Sequence, residues 1–225
     1  CIQASMHTQL PAPSFSVRIW NGTPNEFLIK CAELTRTGVG LPAYYNDEVI
    51  IPALMSRGVT LADAREYGII GCVEPQKPFK TDGWHDAAFF NMCRPLELVF
   101  SNGVDKGAQI SIKTGNVEDM TTFEEFYNAY KAQATYMIGL MVNAINAIDT
   151  AHSERVPLPF LSCMVEDCVK EGKTVQEGGA HYNFTGPQGF GIANMADGLW
   201  AVKTLLFDEK KVTMAELKDT LIHNY

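Results

Sequence analysis

Residues 121–152 constrain the fold of this chain more than any other feature. Phe123, Phe126, Tyr127, Tyr130, Tyr136, Met137, Leu140, Met141 and Ile145 recur there at the three- and four-residue spacing of one helix face. Thr121 and Glu124 read as a capping box at its head, each side chain satisfying the other's backbone donor. A helix of that length needs a large apolar surface to pack on. Its aromatic and methionine residues therefore read as core packing, not as a cofactor box.

Strands and helices alternate around it. "SFSVRIWNG" alternates like a strand and stops at the turn signal Asn21-Gly22. "TPNEFLIKCAELTRTG" opens as a helix with Thr23 as cap and Pro24 in the first turn, and Gly38 and Gly40 end it. "LPAYYND" is extended, "EVIIPALMSRG" is helical apart from Pro52, and "TLADAREYG" is a short helix capped by Thr60 or Asp63. Residues 87–101 suggest a buried helix started or interrupted near Pro95, with Asp86 at its head as a possible N-cap. "PLPFLSCMV" reads as a buried strand, "AHYNFTGPQGFGIAN" as a strand entering a Gly-rich turn, and "NMADGLWAVKTLLF" as a final helix. Such alternation argues for an α/β protein, a barrel or a large sheet wrapped by helices.

Composition narrows the function. No run of eighteen apolar residues occurs, so no membrane span is expected. The formal net charge is −8 with no basic cluster, which argues against a nucleic-acid surface. The length of 225 residues is compatible with one large domain, and no Gly/Ser/Pro linker divides it. Six scattered cysteines are too few for a disulfide scaffold, and without a CxxC pair they do not build a zinc site. Free thiols in a reducing cytoplasm are the expectation. The chain starts at Cys1 and stops at "LIHNY" in mid-helix, and is expected to be an internal piece of a longer protein.

"GCVEPQKPFKTDGWHDAAFF", residues 71–90, has the period of neither helix nor strand, yet it crowds a thiol, acids, an imidazole and an indole together. Cys72 is either a small buried hydrophobe or a reactive thiol. Gly71 permits close backbone approach, Pro75 stops the strand, and alternation turns Glu74 to the face of Cys72. A carboxylate there raises a thiol's pKa and works against a thiolate nucleophile. The pair is free of conflict if Cys72 reacts by hydrogen-atom transfer while Glu74 acts as base or hydrogen-bond acceptor. Trp84 can wall a pocket in which His85 or Asp86 holds a polar ligand, and the alternative is a surface His-Asp pair. "GPQGFG" lacks the context of a phosphate cradle, His181 and Tyr182 read as structural, and His7, His152 and His223 have no motif context.

"GCVEPQ", preceded by "GVGLPAYYND" and "DAREYGIIGCVEP" and followed by "PLPFLSCMVEDC" and "GGAHYNFTGPQGFGIANMADGLW", closely resembles the glycyl radical enzymes, over essentially the whole chain. The resemblance implies part of their ten-stranded α/β barrel, with the active-site cysteine on an internal loop. It makes Cys72 the thiyl position and Glu74 its acid/base partner. Formate-lyase members carry two adjacent cysteines where Gly71 and Cys72 stand here, and "GWHDAAFFN" resembles the B12-independent glycerol and 1,2-propanediol dehydratases. In that branch the aspartate matching Asp86 binds substrate hydroxyls, with His85 and Trp84 beside it.

The implied activity is dehydration of a small diol to an aldehyde. Choline trimethylamine-lyase or hydroxyproline dehydratase activity is the alternative within the family, and a non-catalytic ligand-binding barrel the alternative outside it. No cofactor is expected on these residues. The family's protein glycyl radical belongs to a C-terminal motif that this sequence lacks, and its histidine acid to a region before the chain. The resemblance further implies a radical S-adenosylmethionine activating enzyme as partner, a homodimer at full length, and a cytoplasmic or microcompartment location.

Overall fold

A computed structural model describes residues 1–71 and 73–223, residue 222 by its backbone alone. In chain order the elements are α1 (Ile2–Thr8), β1 (Ser16–Ile19), α2 (Asn25–Thr35), β2 (Ala43–Asn46), α3 (Asp47–Ser56), α4 (Leu61–Arg65), β3 (Gly68–Ile70), β4 (Glu74–Gln76) and β5 (Thr81–Asn91). There follow α5 (Arg94–Phe100), β6 (Val104–Asp105), β7 (Ala108–Gln109), α6 (Phe123–Arg155), α7 (Pro159–Ser162), α8 (Cys168–Glu171), β8 (Tyr182–Phe190), α9 (Ile192–Val202) and α10 (Met214–His223). Helices and strands are mixed, an α/β chain. It divides into two compact units, Cys1–Gly83 with Leu158–Phe184 and Trp84–Pro157 with Thr185–Tyr225. Each unit is assembled from two separate segments, so no linker in the sequence marks the division. No described helix is long and apolar enough to cross a membrane.

In the first unit β1 and β2 pair in parallel, Ser16 opposite Ala43 and Ile19 opposite Asn46, with α2 as the crossover. The Thr23 hydroxyl accepts from the Trp20 N–H at 2.8 Å, and Pro24 takes the N-cap position of α2 that the sequence suggested for Thr23. β2 runs directly into α3, where the Asn46 side chain accepts from the Glu48 N–H at 3.0 Å. Pro52 stands inside α3 without ending it, at the cost of one helical hydrogen bond. Thr60 caps α4, accepting from the Asp63 N–H at 3.2 Å. The core gathers Tyr45, Leu54, Val59, Ala64, Tyr67 and Tyr182. β3 and β4 form an antiparallel hairpin with Ile70 opposite Glu74.

"PLPFLSCMV" is not a buried strand. Pro159–Ser162 forms a helical turn and Phe160 is 81% exposed. Pro159 suits a helix N-terminus, and Ser162 ties the turn down: its hydroxyl donates to the Leu158 carbonyl at 2.7 Å and accepts from the Val175 N–H at 3.0 Å.

In the second unit α6 is the organising element. Its box is set one residue later than the sequence suggested. The Thr122 hydroxyl accepts from the Glu125 N–H at 3.2 Å, and the Glu125 carboxylate accepts from the Thr122 N–H at 3.0 Å. Glu124 instead faces Lys131, at 3.9 Å. Phe126, Ala129, Tyr130 and Ala134 pack with Val99, Val117 and Val202 into the core. The core reading fails further along, where Tyr136 and Leu140 are exposed while Ile145 is buried.

The expected helix over 87–101 is half strand. β5 continues to Asn91, and α5 begins only at Arg94 with Pro95 in its first turn. Asp86 is therefore mid-strand and caps no helix. Aromatic Phe89 and Phe90 favour the extended state that β8 stabilises by pairing with β5. The "GPQG" run belongs to β8 itself, and the turn comes only at Gly191, φ +74°. α9 passes into a π-helical stretch, Lys203–Asp208, and α10 follows, so "NMADGLWAVKTLLF" is not the last helix.

Candidate functional site

The loop carrying the candidate thiol is the tip of the β3–β4 hairpin. Cys72 lies outside the described residues, and the expectation that it shares a face with Glu74 rests on sequence alone. The residues on either side are defined. Gly71 sits at φ +63°, in the left-handed region. Glu74 opens β4, and its carboxylate turns back over the tip, where Oε2 accepts from the Val73 N–H at 2.8 Å. A Cβ at Gly71 would lie 2.9 Å from the same Oε2. Glycine thus meets two demands at once, the turn and the room for the carboxylate.

Ionic clusters in the first unit anchor both ends of this hairpin. Tyr67, immediately before β3, donates its hydroxyl to Asp47 Oδ1 at 2.7 Å. Arg18 grips Asp47 through two bonds of 2.8 Å, donates to the Tyr67 carbonyl at 3.2 Å, and lies 4.0 Å from the Tyr67 ring centroid. The Arg18 guanidinium holds the Asp47 carboxyl below the usual carboxylate range, while burial, with Asp47 alongside, pushes the Tyr67 phenol up.

Past β4, Lys77 pairs with Glu66 at 2.6 Å, and Lys80 reaches Asp63 at 3.2 Å and Glu166 at 3.5 Å. Asp63 also accepts from the Tyr182 hydroxyl at 2.7 Å. That bond leads, with Lys80 adding to it, in drawing the Asp63 carboxyl below its ordinary value. The loop between β3 and β4 is thereby mounted on a fixed frame.

Trp84, His85 and Asp86 are consecutive on β5, so alternation turns His85 away from the other two. Trp84 is half-buried and meets His152, at the end of α6, edge to face with ring centroids 5.2 Å apart. His85 is covered closely by β8: a Cβ at Gly186 would lie 3.0 Å from the His85 Cα and carbonyl oxygen and 3.1 Å from Nδ1. Asp86 is exposed, and its Oδ1 accepts from the side-chain amide of Gln188.

β8 and α6 therefore bring to β5 three residues to which the sequence reading gave no part in the site, Gly186 and Gln188 from β8 and His152 from α6. The available signal was the glycine itself, since Gly inside a strand marks close approach of another backbone. His181, read as structural, donates from Nδ1 to Asp167 Oδ2 at 2.7 Å and packs edge-on against Tyr182 at 4.5 Å. Among the described residues, no group of three or more His, Cys, Asp or Glu side chains could hold a metal ion.

Comparison with known proteins bears on this arrangement. The model of the pyruvate formate lyase-like family matches residues 1–225. A solved structure concerned with 1,2-propanediol dehydration in Roseburia inulinivorans is 65% identical with a TM-score of 0.93, matched over 100% of this chain and 28% of that one. The glycerol-bound B12-independent glycerol dehydratase from Clostridium butyricum is 63% identical with a TM-score of 0.92, over 99% of this chain and 28% of that one. A curated relative, the (2S)-3-sulfopropanediol dehydratase of Klebsiella oxytoca, is 38% identical over 100% of this chain and 27% of its own length. The chain thus spans little more than a quarter of each of these proteins. With a family match that leaves no residue outside it, the chain belongs to the pyruvate formate lyase-like glycyl radical enzymes.

Proposed function

We propose that this chain supplies the reactive cysteine, its base and part of the substrate clamp of a glycyl radical dehydratase acting on a small vicinal diol, within a protein of the relatives' length. The observation that carries this reading is the Glu74 carboxylate, drawn back to the Val73 N–H at 2.8 Å, on the loop that contains Cys72. A base held there by the backbone is two residues from Cys72 in the sequence, and a cysteine that reacts by hydrogen-atom transfer beside it needs no thiolate. The relatives named for dehydration of 1,2-propanediol and glycerol, at 65% and 63% identity, direct the choice of substrate.

In this reading the Cys72 thiyl takes a hydrogen atom from C1 of the diol, the S–H bond forming as the C–H bond breaks. Glu74 accepts the proton of the C1 hydroxyl. The C2–O bond then breaks, and the leaving hydroxyl departs as water with a proton from a histidine elsewhere in the full-length protein, a proton that the one held on Glu74 makes good. The resulting carbon radical recovers a hydrogen atom from the Cys72 thiol, which restores the thiyl and releases the aldehyde. Asp86 holds a substrate hydroxyl, His85 lines the strand beside it, and Trp84, braced by His152, limits the space. A protein glycyl radical elsewhere in the full-length protein, installed by a radical S-adenosylmethionine activase, supplies the first hydrogen-atom acceptor.

The test uses the full-length protein, activated anaerobically and offered glycerol, 1,2-propanediol, choline and trans-4-hydroxyproline. Aldehyde from a diol is expected, lost in Glu74→Gln. Trimethylamine from choline, or dehydration of hydroxyproline, with no turnover of either diol would overturn the substrate assignment.

A further inference from the structure

We infer that Gln188 is a positioning residue for Asp86, setting the direction in which that carboxylate meets a substrate hydroxyl. The inference rests on the reading of Asp86 as a substrate ligand and deepens it. β8 is fixed against β5 at two points on either side of Gln188. On one side Gly186 lies so close to His85 that a Cβ would come within 3.0 Å of the His85 backbone. On the other, the Met92 N–H donates to the Phe190 carbonyl at 2.9 Å. Between these two fixed points the Gln188 backbone has little freedom, and its side-chain amide donates to Asp86 Oδ1.

Asp86 is exposed, and an exposed carboxylate on a strand has several rotamers open to it. The amide selects the one that keeps Oδ1 on Gln188 and turns the other oxygen outward. Glutamine suits this role because it offers a donor without a charge. A lysine would compete with substrate as a counter-ion, and a glutamate would repel the carboxylate. Gly186 belongs to the same device, since any side chain there would lift β8 from His85 and carry Gln188 with it. The Gly-rich stretch is on this account the wall that aims Asp86.

The experiment compares Gln188→Ala and Gln188→Glu with Asp86→Ala and the Asp86→Ala/Gln188→Ala double variant in the activated full-length enzyme. It measures kcat and KM for 1,2-propanediol and the radical content by electron paramagnetic resonance. Gln188→Ala is expected to raise KM about tenfold, the loss of one aligned hydrogen bond to a charged group, with radical content unchanged. Gln188→Glu should be worse than Gln188→Ala, and Gln188→Ala should add nothing once Asp86 is gone. Equal effects of Gln188→Ala in the presence and absence of Asp86 would overturn the inference while leaving Asp86 as a ligand. An unchanged KM in Asp86→Ala would instead remove the reading on which the inference rests.

Discussion

Replacing Gly71 by alanine probes the hairpin tip at its most exacting position. Two costs can be worked from the geometry. The backbone at Gly71 has φ +63°, where an L-residue with a Cβ pays about 1–2 kcal/mol. The new Cβ would also stand 2.9 Å from Glu74 Oε2, closer than a carbon and a carboxylate oxygen tolerate, so the carboxylate must move. Moving it weakens the 2.8 Å bond from the Val73 N–H, a hydrogen bond to a charged group whose loss costs about 1.5–3 kcal/mol, here no more than the lower figure because the bond is exposed.

The backbone cost falls on hairpin stability, and only the displaced base bears on turnover. About 1.5 kcal/mol in transition-state stabilisation corresponds to a fall in kcat of roughly tenfold. The assay is aldehyde release from 1,2-propanediol by the activated full-length variant, normalised to radical content. Glu74→Gln serves as reference and the Gly71→Ala/Glu74→Gln double variant as control. If Gly71 acts through Glu74, the double variant is no slower than Glu74→Gln alone. A Gly71→Ala enzyme within about twofold of the native kcat would refute the idea that this glycine makes room for the base.

Other outcomes follow from the same structure. Phe126 is fully buried and packs on Phe100 with ring centroids 5.4 Å apart, so Phe126→Ala should destabilise the second unit by about 3–5 kcal/mol in denaturant unfolding. Gln133, also fully buried, donates to the Ile112 carbonyl at 2.8 Å and accepts from the Ser111 hydroxyl. Gln133→Leu should therefore cost about 1–3 kcal/mol by stranding those groups, and a neutral result would contradict the account.

Asp47 carries a pH dependence. Its carboxyl is depressed in the folded chain by Arg18, so it contributes stability above the ordinary carboxylate pKa of about 4, and that contribution is lost as pH falls through the depressed folded value. Acid unfolding curves of Asp47→Asn should flatten across this range, and superposition of native and variant slopes would count against the linkage.

Legibility in the sequence followed the reach of the forces involved. Several local signals held: Thr60 caps α4, Asn21-Gly22 forms the turn after β1, and the period of α6 survives with its box moved by one residue, although Pro24 and not Thr23 takes the N-cap of α2. The larger failures depended on partners distant in sequence. "DAAFFNM" has a helix-like composition, but β8, about a hundred residues later, pairs with it as a strand. "PLPFLSCMV" looked buried by hydropathy, yet Val175 and Gln176 hold it as a helical turn at the surface.

The candidate site was legible only in part. At the hairpin tip the motif drew attention to Gly71 and Glu74 but hid the turn: Pro75 was expected to stop one strand, whereas β3 ends at Ile70, Gly71 takes a left-handed conformation and Pro75 lies within β4. Gln188 and His152 were not legible, because their partners Asp86 and Trp84 meet them only through the pairing of β5 with β8 and the packing of α6.

The most direct test of the central claim is made at Cys72. The full-length Cys72→Ala protein would be activated anaerobically, its organic radical quantified by electron paramagnetic resonance, and aldehyde release from 1,2-propanediol followed in the same sample. The account predicts a radical content like that of the native protein and no aldehyde. Aldehyde formed by the radical-bearing Cys72→Ala protein at a rate near the native one would contradict it.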